Sequence, residues 1–367
     1  MNLELREASS QARALRPAAE LLAEAAREAR LLGAATPVNL TEERARLAQA
    51  LARGECPRPR WRYGRGGRGE LRARLTRLAR ALEGVEGPLA ALYLARAEEL
   101  ALECALVGAV GTGAFGPLAA RRFLEAEGVE RGLDFAREHV GDHEPEAALG
   151  PSLPSHDPSP SSLVSRMRAE LSARGIPFRV CVVEGLSALA ATGDGAVFVA
   201  HGRETRGDDV PRTVLHELDG HVLPRVRAAA APLALFRFGA ARATDDQEGY
   251  ALLLEERGGF LGPARRRELS ARRVAVQLAV DGASYGECAR ALMTRHAFEA
   301  GAAARLAERV YRGGDGVCLG LARDRVYLDA WLRLRAAFAE EPHLEGLVSG
   351  GQISLAAARA LAGHPLD

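Results

Sequence analysis

The chain has 367 residues, 47% of them hydrophobic and 26% charged, with a formal net charge of +1. That balance fits a soluble globular protein of one large or two ordinary domains with a real core, and the near-zero charge gives no general pull toward nucleic acid or an anionic membrane. No run approaches the roughly 18 apolar residues of a membrane span. The start, MNLELREASSQARALRPAAELL, has acids and arginines where a signal peptide would be unbroken and apolar, so the expected address is the cytoplasm, with no membrane partner.

All 49 basic residues are arginine, which, with the heavy alanine use, reads as coding bias rather than chemistry. Five cysteines (Cys56, Cys104, Cys181, Cys288, Cys318) are scattered, odd in number and free of any C-x-x-C pair. They signal neither a disulfide framework nor a thiolate metal site, and are expected to be buried thiols.

From residue 10 to about 140 the apolar residues recur at helical spacing, as in ALRPAAELLAEAAREARLL, and predict a helical front region over 1–150. Thr41, ahead of Glu42 and Glu43, has the chemistry of a helix start. RPRWRYGRGGRGELRARLTRLAR carries nine arginines between 58 and 80, with Trp61 and Tyr63 among them. It could be a basic patch for nucleic acid or an acidic tail, but in a chain of this net charge a solvated loop and helix face is the better reading, and no nucleic-acid partner is expected. GAVGTGAFG (108–116) follows a helix and lacks the lysine of a phosphate loop, so it reads as a turn.

GDHEPEAALGPSLPSHDPSPSS (141–162) is rich in proline and serine and is the best candidate linker. A second region, 151–367, follows; the two could also form one integrated domain. It opens with a short helix (LVSRMRAELSARG), then FRVCVVEG and AVFVAHGRE, two β-branched runs that read as paired strands. Everything from about 209 onward reads helical. The fold class is therefore α+β, mainly helical, with a small sheet.

The helical stretch opening at 209 contains HELDGH, 216–221. In the common H-E-x-x-H zinc helix the histidines stand four residues apart and face one way. Here they stand five apart, which on an ideal α-helix is about 140° of rotation and turns the second ring away. A local π-type turn would restore the alignment, and Gly220 is the residue type best suited to absorb it. Asp208 or Asp209 could cap the helix, Pro211 suits its first turn, and Val214, Leu215, Leu218 and Val222 give an apolar side. The strand at 196–203 just before it would be an edge strand able to hold an extended peptide.

Catalytic zinc takes three protein ligands and leaves one position open. Two histidines need a third partner, and Glu248, in ATDDQEGYALLLEE, lies 27 residues beyond His221 on a helix that Thr244, Asp245 or Asp246 could cap. His, His and a downstream Glu is the thermolysin-like ligand set. Glu217, beside a ligand but not one itself, is placed to move the proton of an activated water. A structural metal site and a chance pair of histidines are the competing readings.

With these residues in view the chain resembles the QEGLA-motif proteins, whose animal members are the microtubule-associated tyrosine carboxypeptidases. The matching segments are HELDGH (216–221), PLALFRFG (232–239), QEGYALLLEE (247–256), RVYRG (309–313) and RDRVYLDA (323–330), with ATPVNLTEE and GTGAFG earlier. The resemblance runs over about 36–360. It implies a zinc carboxypeptidase with a gluzincin-like core, Zn2+ held by His216, His221 and Glu248, Glu217 as general base and acid, and a peptide or protein C-terminus as substrate. The family also uses three residues between the glutamate and the second histidine. QEGYA for QEGLA, VNL for an Asn-Pro, and YLDA without its glycine are departures that touch neither ligand nor base, and the animal enzymes' tubulin tyrosine does not carry over to this chain.

A carboxypeptidase also needs a cation for the terminal carboxylate and a donor for the developing oxyanion. Chain order nominates Arg309 and Arg312 for the first and Tyr327 for the second. Iron or manganese would also suit two nitrogens and a carboxylate. The rival functions are a metal-dependent tailoring enzyme for a peptide natural product and a non-enzymatic regulatory protein of the same fold.

Overall fold

The computed structural model of the protein describes residues 14–64, 66–125, 129–142 and 152–362. Among the described residues the front region holds seven helices: α1 (Arg16–Glu28), α2 (Leu31–Ala34), α3 (Leu40–Ala52), α4 (Gly69–Leu82), α5 (Pro88–Ala109), α6 (Phe115–Phe123) and α7 (Val129–His139). Next come β1 (Leu153–Pro154), α8 (Leu163–Ala173), and the strands β2 (Arg179–Val183), β3 (Ala190–Gly193), β4 (Ala196–Ala200) and β5 (Glu204–Thr205). The rest is helical: α9 (Asp209–Glu217), a π segment (Leu218–Val222), α10 (Leu223–Ala230), α11 (Leu235–Phe238) and α12 (Ala243–Arg257). They are followed by α13 (Pro263–Val280), α14 (Tyr285–His296), α15 (Ala300–Tyr311), α16 (Arg325–Glu340), α17 (Leu344–Ser349) and α18 (Leu355–Ala362). The chain is mainly helical with a small sheet. The centre of the proline-rich stretch, 143–151, lies outside the described residues.

The two β-branched runs do pair, but in parallel: Val180 faces Val197 and Val182 faces Val199. Between them in sequence β3 forms and pairs antiparallel to β4, giving the order β2-β4-β3. The strand at 196–203 is therefore not the edge strand expected from the sequence. β4 takes the middle, and the edges are β2 and β3, the latter an Ala-Ala-Thr-Gly strand with too little β-branched character to announce itself.

Three apolar clusters hold these parts. The largest joins front and rear, with Leu22, Leu75, Leu100 and Phe115 in the same core as Leu252, Trp331 and Leu334. A second lies among α3, α13, α14 and α15, around Leu47, Tyr285 and Val310. The third packs α8 and the sheet on the π-bearing helix through Met167, Val197, Val199, Val214, Leu218 and Val222. Front and rear also meet through buried charge: Arg122 on α6 reaches Asp245 at 2.8 Å, Glu99 at 3.0 Å and Glu103 at 3.1 Å.

Details of several local expectations change. α3 begins at Leu40 with Asn39 before it, and the Asn39 side chain bonds to Arg60 O and Arg62 N instead of capping the helix. In the arginine-rich stretch Arg74 pairs with Glu24 at 2.5 Å, Trp61 stacks edge-on against Tyr285, and the Tyr63 hydroxyl bridges Gly313 N and Gly314 O. Both aromatics thus pack internally. Cys104 and Cys288 are buried, but Cys56 and Cys318 are exposed. Among the described residues no helix is long and apolar enough to cross a membrane.

Candidate metal centre

The five-residue histidine spacing meets a backbone that accommodates it. α9 ends at Glu217, the chain runs as a π-helix over Leu218–Val222, and α10 continues from Leu223. Widening the coil by one residue per turn brings positions i and i+5 onto one face, and His216 Nε2 and His221 Nε2 lie 3.3 Å apart. The apolar residues Val214, Leu218 and Val222 are buried on the sheet side. The helix starts at Asp209 after Asp208, with no side-chain bond at the cap.

Gly220 earns its place by contact rather than by unusual dihedrals, since its φ is not among the positive values. A Cβ there would sit 2.5 Å from the Cβ of Ala251 on α12. On α12 itself a Cβ at Gly249 would come within 2.6 Å of the Ala330 backbone on α16. These two small residues let three helices approach closely. Between them α12 carries Glu248, whose Oε2 stands 3.5 Å from His216 Nε2 and 3.7 Å from His221 Nε2. Among the described residues these three form the group that could hold a metal ion, with ligand atoms within 4.8 Å of one another. The helix begins after Arg242, in a left-handed conformation, and Glu99 accepts from Arg242 N. Thr244, Asp245 and Asp246 do not cap it; the two aspartates bind Arg122 and Arg333 instead.

A second layer fixes these groups. Glu255, fully buried, accepts from His216 Nδ1 at 2.7 Å and from Arg265 at 2.8 and 2.9 Å. Arg323 donates to the other oxygen of Glu248 at 2.8 Å. Thr192, on the edge strand β3, donates to Glu217 Oε2 at 2.8 Å. Burial lowers the His216 imidazole pKa, but the bonds to Glu248 and Glu255 outweigh it and raise it to about 9. Burial raises the Glu248 carboxyl, yet Arg323 and the histidines hold it well below the usual range. The electrostatics at this point favour added positive charge.

A family model described as microtubule-associated tyrosine carboxypeptidase matches residues 53–363. The chain belongs to that family. No curated protein matches the chain. Membership in the microtubule-associated tyrosine carboxypeptidase family implies a carboxypeptidase-like hydrolase acting on a peptide or protein.

For a member of this carboxypeptidase family, the site opens onto a cavity of about 980 Å³ lined by all seven residues singled out in the sequence. Arg309 and Arg312 meet different fates there. Arg309 forms a two-toothed pair with Asp324, both contacts 2.5 Å. Arg312 is buried, its Nε has no hydrogen-bond partner, and no ion pair reaches it among the described residues. Tyr327 is buried with its hydroxyl 3.4 Å from Arg323. The sequence reading missed Glu255, Arg323, Arg265 and Thr192. Glu255 left a signal: it is seven residues beyond Glu248, about 20° away around a helix and so on the same face. Arg265 and Thr192 left none.

Proposed function

We propose that the protein is a zinc-dependent carboxypeptidase that removes C-terminal residues from a peptide or protein, with His216, His221 and Glu248 as ligands and Glu217 as general base and acid. One observation carries this. Donors about 2.1 Å from a tetrahedral zinc ion stand roughly 3.4 Å apart, and the separations of 3.3, 3.5 and 3.7 Å fit that figure. When bound, zinc supplies Lewis acidity for the scissile carbonyl and acidifies a water.

Around that chemistry the chain's own residues take the remaining roles. Glu217 accepts the proton of the attacking water and delivers it to the leaving amine. Thr192 holds one of its oxygens, which leaves the other to receive the proton. The edge of β3 takes an extended peptide as an added strand. Arg312 binds the terminal carboxylate, because a buried guanidinium without an anion is costly and an incoming carboxylate relieves it. Arg203 and Arg305, also without an ion-pair partner among the described residues, keep the same cavity positive. Arg309, held by Asp324, is a neighbour of that subsite, and Tyr327 is the donor to the oxyanion. The continuous core supports reading 1–150 and 151–367 as one integrated domain with a gluzincin-like catalytic part.

The test combines metal analysis of the purified protein with mass spectrometry of a peptide library varied at its C-terminus. Wild-type protein should hold one zinc and shorten peptides from the C-terminal end, and Glu217→Gln should keep the zinc while losing about 10²- to 10⁴-fold in rate. Peptide shortening by Glu217→Gln at the wild-type rate would sink the mechanism, and protein that takes up no metal would sink the site.

A further inference from the structure

We propose that Glu255, backed by Arg265, is the positioning residue that fixes His216 for the metal; this rests on the metal reading above. The two histidines are held differently. His216 Nδ1 meets Glu255 Oε1 at 2.7 Å, whereas His221 Nδ1 has no hydrogen bond to any described residue. A carboxylate on one ring nitrogen makes that nitrogen the N–H, so the lone pair is left on the other. In His216 the other is Nε2, which points at His221 and Glu248. The bond also fixes the plane of the ring and strengthens its donor nitrogen.

A fully buried carboxylate needs a strong compensating partner. Arg265 gives it two contacts and in turn reaches Glu268 at 2.8 Å, and Glu268 pairs with Arg272. Beyond His216 the chain Glu255, Arg265, Glu268, Arg272 therefore alternates in sign along the cavity wall. The Glu255 carboxylate makes no other hydrogen bond or ion pair among the described residues, so its burial serves His216 and Arg265.

This arrangement predicts a graded response. Glu255→Gln keeps an oxygen that can accept from Nδ1 but loses the charge, and Arg265 still has Glu268, so no orphan cation is created. Glu255→Ala loses both charge and bond. The full chain, stripped by chelator, would be titrated with zinc against a chromophoric competitor, with the visible spectrum of the cobalt-loaded protein read alongside. Zinc affinity should fall about tenfold in Glu255→Gln and about a hundredfold in Glu255→Ala, with a changed cobalt spectrum; the urea midpoint of the stripped protein should stay near wild type in Glu255→Gln and fall in Glu255→Ala, where Arg265 loses both contacts. His216→Ala should lose the site altogether.

If Glu255→Ala binds zinc within twofold of wild type while His216→Ala does not, the positioning role is overturned and the metal reading stands. If the wild-type protein binds neither zinc nor cobalt, the metal reading fails and takes this one with it. Should Glu255→Ala fail to fold, Glu255→Gln decides: affinity and cobalt spectrum equal to wild type overturn the proposal.

Discussion

The run Asp209–Ala230 and the helix Ala243–Arg257 both bring candidate metal-binding side chains to one point, the first through a distorted backbone and the second through a regular one. In the first, two histidines five residues apart converge because Leu218–Val222 widens into a π turn. Its supports are near in space to the sheet and simple in kind, chiefly Val214, Leu218 and Val222. In the second, Glu248 and Glu255 share a face by their seven-residue spacing, and the backbone needs no adjustment. Its supports come from far along the chain: Arg122 to Asp245, Arg333 to Asp246, Leu355 N to Asp246, and Gln247 to Gly351 O. The distorted element thus explains itself through its own sequence, while the regular one depends on distant partners for its aim.

The largest effect that separates the two should come from Arg122→Ala. Arg122 is buried among Asp245, Glu99 and Glu103, and its removal leaves two buried carboxylates and the partly buried Glu103 without it. A loss of about 3–5 kcal/mol is expected at pH 7 by urea denaturation, the usual cost of breaking a buried pair. The deficit should shrink on acidification. Burial already raises the Glu103 carboxyl, with Arg122 opposing it. Without Arg122 the folded-state pKa rises further above the unfolded value, so the protonated form stabilises the fold at low pH and that stability is lost as pH rises through the folded pKa. A midpoint within 0.5 kcal/mol of wild type, by the usual range for a surface substitution, would mean that α12 does not depend on its remote anchors.

This contrast also governs what could be read in advance. The π turn was legible because two histidines five residues apart need it to face one way, and the ligand count and the family resemblance pointed to Glu248, which does stand beside them. The helical front, α8 and the pairing of β2 with β4, though not its parallel direction, followed from apolar spacing and β-branched residues. β3 was not legible: four small residues in a glycine-bounded stretch carry no alternation, and only pairing with β4 makes them a strand. For that reason Thr192, bonded to Glu217, went unnoticed. The caps expected at Asp208 and at 244–246 failed because tertiary contacts claimed or bypassed those side chains. The roles of Arg309 and Arg312 looked alike in RVYRG, and only the position of Asp324 separates them.

A middle-sized effect tests the contact between the two elements. Gly220→Ala gains helix propensity of about 0.8–1 kcal/mol but places a Cβ 2.5 Å from that of Ala251. Overpacking of this kind costs about 1–3 kcal/mol, so a net loss is expected, together with weaker zinc binding as the π turn is pushed from Glu248. Ala251→Gly alone should destabilise by about 1 kcal/mol through the helix. The double variant removes the clash and should be more stable than the sum of the two singles predicts by about 1 kcal/mol or more. Additive singles would show that Gly220 is needed for its backbone freedom after all.

The smallest effect belongs to the start of the distorted helix. Asp208 stands at its N-terminal boundary, exposed and making no cap bond. Its remaining contribution is charge near the positive end of the helix dipole, about 0.3–0.5 kcal/mol and screened by salt. Ser162, at the corresponding boundary of α8, is buried and accepts from Ser165 N at 3.2 Å. Ser162→Ala should therefore cost about 1 kcal/mol and Asp208→Ala no more than about half of that, shrinking further in 0.5 M salt as screening predicts. Equal losses, or a loss at Asp208 that persists in salt, would mean that Asp208 caps the helix carrying His216 in solution, and that this helix is held from its end as well as from its apolar face.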